Sequence, residues 1–247
     1  MSIYTELNYR LYRDETPYTN CEVEKYIDNN YPHTNIDSTL LDCLFEHFKP
    51  NFVLEIGSMV GGSCIKMLDS FKTVGLNDSY IVCVDPFTGD ANMWDWEYTL
   101  QDWYRFLRLE NGIPTIYKRF LANTYQYKDK IVPINCTAFT GINLLERLYN
   151  THKSISSLPT LIYLDSSHCK NETFLEIVEC WDKLLGPNTL LFGDDFSHPD
   201  VTHDVLRAAK TFTLNLTLRD QIKDKLSPIS FLKEDVLVYN NQWMLYK

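Results

Sequence analysis

Two short runs hold the residues of this 247-residue chain best suited to chemistry. LDSSH sets Asp165 three residues before His168, and FGDDF sets Asp194 beside Asp195. Each run closes an apolar segment of strand-like composition, LIYLD and NTLLFGDD. If those strands are neighbours, three carboxylates crowd one edge of a sheet, where they repel one another in a low-dielectric cleft. A divalent cation would remove that cost, and hard oxygen donors favour Mg²⁺, Ca²⁺ or Mn²⁺ over zinc. Such a metal could orient vicinal hydroxyls and acidify one of them. A neutral imidazole at His168 could take the released proton. Plainer readings stand beside these. The Asp194–Asp195 pair could cap the helix near Pro199, Asp165 could hold only an amino group, and His168 could simply start a helix. His198 and His203 follow the acid pair and suit a loop and a helix surface, with His198 the nearer to an acceptor.

The elements that must position these residues alternate along the chain. NFVLEIG, YIVCVD, IVPIN, LIYLD and NTLLFGDD read as buried strands, and EDVLVYN with NQWMLYK reads as a closing hairpin turning at Asn240–Asn241. Helical periodicity falls on LLDCLFEHF, with Ser38 as its cap, and on GSCIKMLDSF, FLEIVECWDKLL and VLRAAKTF. Short apolar strands separated by helices predict a Rossmann-like α/β fold. Its seven-stranded, mostly parallel sheet has helices on both faces and a C-terminal antiparallel hairpin. Residues 1–36 read as a polar extension with one short helix, and 37–247 as the main domain. Within it, residues 88–128 form an aromatic-rich helical cap carrying Trp94, Trp96, Tyr98, Trp103, Tyr104 and Phe106. Those tryptophans suit stacking against an acceptor, or gluing the cap to the domain. Asp90 could add to the cleft.

In a doubly wound sheet, ligands sit at the carboxyl ends of the strands. The first strand runs into LEIGSMVGGS, where Gly57 allows a sharp turn and Gly61 and Gly62 allow close backbone approach. This is E-x-G-x-x-x-G rather than G-x-G-x-x-G, so a pyrophosphate cradle, and with it a nicotinamide dehydrogenase, is disfavoured. A tight turn with no ligand is the plainer alternative. The second strand ends at Asp85, whose carboxylate could accept both hydroxyls of a ribose.

The Glu55–Gly61 pattern resembles motif I of class I S-adenosylmethionine-dependent methyltransferases. That resemblance implies that the Gly57–Ser58 loop passes along the methionine part of the cofactor and that Ser63 lies near its carboxylate. It further implies that Glu55 supports its amino end and that Thr137 and Ala138 lie near its adenine. Asp-x-x-His followed by Gly-Asp-Asp-Phe resembles the metal-dependent sugar O-methyltransferases of the macrocin (TylF-like) group, over residues 50–210. The run DPFTGD, residues 85–90, is similar to one found in related rhamnosyl O-methyltransferases and cephalosporin-hydroxylase-like proteins. The resemblance implies Asp165, Asp194 and Asp195 as Mg²⁺ ligands and His168 as base. The chain departs from it at Ser166, where the group has Gly, and around Cys169 and Lys170, where an aromatic is usual.

Charge and composition narrow the partners. The net charge of −10, without any Lys/Arg cluster, argues against nucleic acid and against a polybasic membrane anchor. No signal-like core or span-length apolar stretch is evident, and seven scattered cysteines without metal spacing suit a reduced, cytoplasmic protein. The expected acceptor is a small molecule or glycan, and self-association into a homo-oligomer is left open. Two other functions are compatible with the same residues: methylation of a catechol or other small phenol, and a Rossmann-like binding protein without catalysis.

Overall fold

The computed structural model describes residues 3–13, 15–28, 34–94, 106–151, 157–222, 225–226, 230–231 and 235–247. Five buried apolar runs form β1 (Phe52–Ile56), β2 (Tyr80–Asp85), β3 (Ile131–Asn135), β4 (Leu161–Leu164) and β5 (Leu190–Gly193). They pair in parallel in the order β3-β2-β1-β4-β5. This is the doubly wound order, which continuous apolar strands require because both faces of the sheet are covered. Beyond β5 lie β8 (Gln242–Tyr246), β7 (Leu237–Tyr239) and β6 (Ser230–Phe231), each antiparallel to the strand before it. All seven expected strands are present, and the two-residue β6 adds an eighth at the edge.

Two apolar clusters cover the sheet. On one face pack α3 (Ser38–Phe48), α4 (Gly62–Thr73) and α6 (Ile116–Thr124), through Leu40, Met67 and Phe120. On the other pack α7 (Ala138–Asn150), α8 (Glu172–Lys183) and α9 (Pro199–Thr211), through Ile142, Ile177 and Val205. α3 differs from expectation at its start. Asp37, not Ser38, is the cap, because its carboxylate accepts the otherwise orphaned N–H groups of Thr39 and Leu40 at 2.8 and 3.1 Å.

The N-terminal segment carries two helices rather than one, α1 (Ile3–Tyr12) and α2 (Val23–Tyr26). Leu7 is buried in the same cluster as Phe52 and Tyr80, and the Tyr18 hydroxyl lies 2.9 Å from that of Thr124. Asp28 pairs with Arg119 at 3.0 Å and Arg108 at 2.7 Å, tying this segment to α6. The aromatic-rich region contains α5 (Ala91–Trp94), α6 and a 3₁₀ turn at Tyr125–Tyr127. α6 buries Ile116 and Phe120 in the cluster that holds Val60 and Phe87. Trp94 is largely exposed and donates its indole N–H to Thr88 O at 2.9 Å. Trp96, Tyr98, Trp103 and Tyr104 lie outside the described residues. Among the described residues, no helix is long and apolar enough to cross a membrane.

Candidate active site

Asp85, Asp165, His168, Asp194 and Asp195 fall at the carboxyl edge of the parallel strands. The Gly57 loop leaves β1 between β2 and β4. Gly57 N–H donates to Val84 O, and Asp165 N–H donates to Ile56 O, so the backbones of three neighbouring strands interlock there. Gly57 has φ +86°, and a Cβ on it would stand 2.0 Å from the Asp165 carbonyl oxygen. Gly61 has φ +91°, and its Cβ would meet the Thr124 methyl at 2.5 Å. Both positions therefore demand glycine for conformation and for space.

Glu55 points into the α3–α4 face, fully buried, and accepts hydrogen bonds from the Ser63 hydroxyl and the Cys64 thiol at the start of α4. Burial pushes its carboxyl above the usual range, and those donors partly offset the shift. Ser63 is thus engaged by Glu55. Ser58 Oγ is buried beside this group.

Asp85 is buried at the end of β2. Its Oδ2 accepts the N–H groups of Ser58 and Met59, each at 2.8 Å, and its Oδ1 accepts the Phe87 N–H at 2.5 Å. Burial raises its carboxyl, and these amides counter the rise. Both Oδ2 lone pairs are occupied, leaving one on Oδ1. In this arrangement the acid holds the Gly57 loop, and a two-oxygen grip on a ribose would require the loop amides to let go. Thr137 is exposed and caps α7, accepting the Thr140 N–H at 3.4 Å, with Ala138 buried behind it.

At the ends of β4 and β5 the ligand atoms of Asp165, His168 and Asp195 all lie within 4.8 Å of one another. His168 Nε2 is 2.6 Å from Asp195 Oδ2, and its Nδ1 is 3.5 Å from Asp90 Oδ2. Burial, then the charges of Asp194 and Asp195, push the Asp165 carboxyl up to about 7. Hydrogen bonds donated by the ring to Asp195 and Asp90 push His168 up to about 10, so the ring is a cation at neutral pH while both acids face it. It becomes a proton acceptor only when the charge on Asp195 is otherwise engaged.

Asp194 lines the same small pocket as Asp165, His168 and Asp195. Its Oδ1 accepts the Asp195 N–H at 2.8 Å, Gln242 Nε2 at 2.9 Å and Asn241 Nδ2 at 3.3 Å, which hold its orientation from the β7–β8 hairpin. Asp195 takes the left-handed conformation at φ +57°, which Asp tolerates better than most residues. His198, beyond this turn, packs edge-on to His168 at 5.4 Å, and its Nδ1 is buried without a hydrogen-bond partner among the described residues. His203 lies half-exposed on α9, paired with Asp204 at 3.1 Å, and takes no part in the group. Ser166 donates its hydroxyl to the buried Glu176 of α8. Cys169 is half-buried and Lys170 exposed.

Asp90, Asn241, Gln242 and Glu176 complete the surroundings of these acids. Of these, only Asp90 carried a sequence signal, its place in DPFTGD. Asn241 read as a turn residue, and Gln242 and Glu176 lay inside regular elements. A surface cleft of about 200 Å³ between residues 15–26 and α6 shares none of these residues.

No family model and no curated protein matches the sequence. Among solved structures, the chain is similar to a SAH-bound methyltransferase from Podospora anserina. The two are 15% identical over 99% of this chain and 87% of that one, with a TM-score of 0.46. It is also similar to an O-methyltransferase from Bacillus cereus in complex with SAH. Here the identity is 13% over 88% and 85% of the two chains, again with a TM-score of 0.46. The functional reading of this chain therefore rests on the residues at its own sheet edge.

Proposed function

We propose that this chain is an S-adenosylmethionine-dependent O-methyltransferase that methylates a hydroxyl of a sugar or glycoconjugate. The observation that carries this reading is the convergence of Asp165, His168 and Asp195 within 4.8 Å at the ends of adjacent strands. The donor set suits a hard divalent cation such as Mg²⁺, because burial, and after it the charges of Asp194 and Asp195, already raise Asp165. Asp165, Asp194 and Asp195 would hold the cation, and the Gly57–Ser58 loop, Gly61, Ser63 and Asp85 would hold the cofactor. Glu55 and Thr137 would support that site from the core and from the start of α7. When bound, the two groups would supply a sulfonium methyl and a lowered pKa at a coordinated hydroxyl. With the charge on Asp195 engaged, His168 Nε2 is the base placed to take the hydroxyl proton. Asp90 holds the opposite ring nitrogen and fixes the ring's orientation. Transfer of that methyl would be an in-line displacement, so the task of these residues would be to position the acceptor oxygen and take its proton. His198 Nδ1, without a hydrogen-bond partner among the described residues, is available to a second hydroxyl of the acceptor, which favours a diol. In this reading residues 37–247 are the catalytic domain and 1–36 an extension packed against it.

The test is incubation with isotope-labelled S-adenosylmethionine, Mg²⁺ and a panel of glycosides and catechols. A product heavier by one methyl group on a glycoside, abolished by chelator, is the expected result. Methylation of catechols alone would replace the acceptor class. Absence of cofactor binding by calorimetry would overturn the reading as a whole.

A further inference from the structure

The core beneath the Gly57 loop contains a second group of reactive side chains that the proposed transfer does not use. Cys64, in the first turn of α4, and Cys83, in β2, face each other with their sulfur atoms 3.1 Å apart. Both are fully buried. Glu55 lies against the pair. Its Oε2 accepts the Cys64 thiol and stands 3.5 Å from the Cys83 sulfur. Cys64 and Cys83 sit 19 residues apart in the chain, on elements that the sheet packing brings together. None of the other five cysteines of the chain shares a sulfur contact of this kind among the described residues.

We propose that Cys64 and Cys83 form an oxidisable dithiol whose conversion to a disulfide disables the cofactor loop. The oxidant is hydrogen peroxide, small enough to reach the pair during local opening. One thiol reduces it, forming a sulfenic acid and releasing one water. The second sulfur then attacks the sulfenic sulfur, the sulfur–oxygen bond breaks, and a second water leaves with the remaining thiol proton. The sum is two thiols and one peroxide giving one disulfide and two waters. Glu55 is the group in contact with both sulfurs and relays that proton. Burial holds both thiols above their ordinary range, so the reaction is slow in the closed protein and follows the opening of α4 from the sheet.

The consequence falls on Glu55. As dithiol, the pair supplies hydrogen-bond donors to a carboxylate with no access to water; as disulfide it supplies none. Ser63 then remains as a donor, on Oε1, and a buried carboxylate that loses the donors on its other oxygen is costly. Relief requires Glu55 or the start of α4, including Ser63, to move. This effect on the cofactor rests on the function proposed above, whereas formation of the bond does not.

The experiment treats the full-length reduced protein with hydrogen peroxide, blocks free thiols under denaturing conditions, and maps peptides by mass spectrometry. The expected result is a Cys64–Cys83 cross-link that dithiothreitol reverses and that neither Cys64→Ser nor Cys83→Ser forms. A variant with Cys21, Cys136 and Cys169, the three half-buried cysteines, all changed to Ser should still form it. Recovery of Cys64 and Cys83 as free thiols while other cysteines oxidise would overturn the proposal, as would a cross-link to any other cysteine. A second measurement, calorimetry with S-adenosylmethionine, should show binding weakened roughly tenfold or more in the oxidised protein and restored on reduction. Equal affinity in both states would overturn the link to the loop. If the reduced protein binds no cofactor, the function proposed above fails while the cross-link remains decided by the peptide map.

Discussion

Gly57 lies directly against the backbone of Asp165: a Cβ at Gly57 would stand 2.0 Å from the Asp165 carbonyl oxygen and 2.5 Å from Ser166 Cα. The loop read as the cofactor end and the strand end read as the chemical end are thus one packed unit. Gly57→Ala must both adopt φ +86° and displace that backbone. It should destabilise the fold by about 3 kcal/mol or more, which chemical denaturation will measure. A variant as stable as the wild type would mean that the two ends are not in contact.

His168 acts through its two acids. His168→Ala should lower turnover by roughly 10²- to 10⁴-fold while cofactor affinity, read by calorimetry, stays near wild type. Asp90→Asn should have a smaller effect of the same kind, because it removes the partner that orients the ring. Wild-type rates across the pH range for His168→Ala would remove the base assignment.

Asp165→Asn and Asp195→Asn should abolish the response of activity to added Mg²⁺. Chelator should do the same to the wild type. Activity that persists in chelator would leave the transferase reading without its metal.

Gln242 fixes Asp194 from the closing hairpin. It is 1% exposed and donates to Asp194 Oδ1 at 2.9 Å. Gln242→Ala leaves that buried acid with one fewer donor and should cost about 1–3 kcal/mol of stability by urea denaturation. It should also weaken the Mg²⁺ response. An intact Mg²⁺ response in a folded variant would show that Asp194 needs no such support.

Glu176 offers a pH test. Burial pushes its carboxyl up to about 7, above the ordinary 4.5, so the folded state binds its proton more tightly than the unfolded state. Its favourable contribution is full below about pH 4.5 and is lost as the pH rises through 7. Glu176→Gln mimics the protonated form. It should match the wild type near pH 4 and be more stable at pH 8 by about 1–3 kcal/mol in denaturant titrations. Equal stability at pH 8 would show that Glu176 is not strained by its burial.

How far the sequence reaches is clearest at particular residues. The strands ending at Glu55–Ile56, Asp85 and Asp165 were legible because a strand buried on both faces must be a continuous apolar run. The Gly57 turn was legible because glycine is the residue that takes a left-handed position most readily. The cap of α3 was misplaced by one residue, since Asp37 and Ser38 are both good caps and only the backbone decides between them. Asp85 was legible as a strand-end acid, but its bonds to the Ser58 and Met59 amides depend on a loop 26 to 27 residues earlier.

From the sequence alone came the alternation of strands and helices, the Gly57 turn, and the gathering of acids at two strand ends. These follow from local rules: periodicity, backbone freedom and the side each strand end must face. Only the tertiary structure decided that His168 bonds Asp195 and Asp90, that Asp194 is held by Gln242 from 48 residues away, and that Cys64 meets Cys83. Side-chain partners across strands depend on sheet order and register, and those are set by the packing of the whole chain.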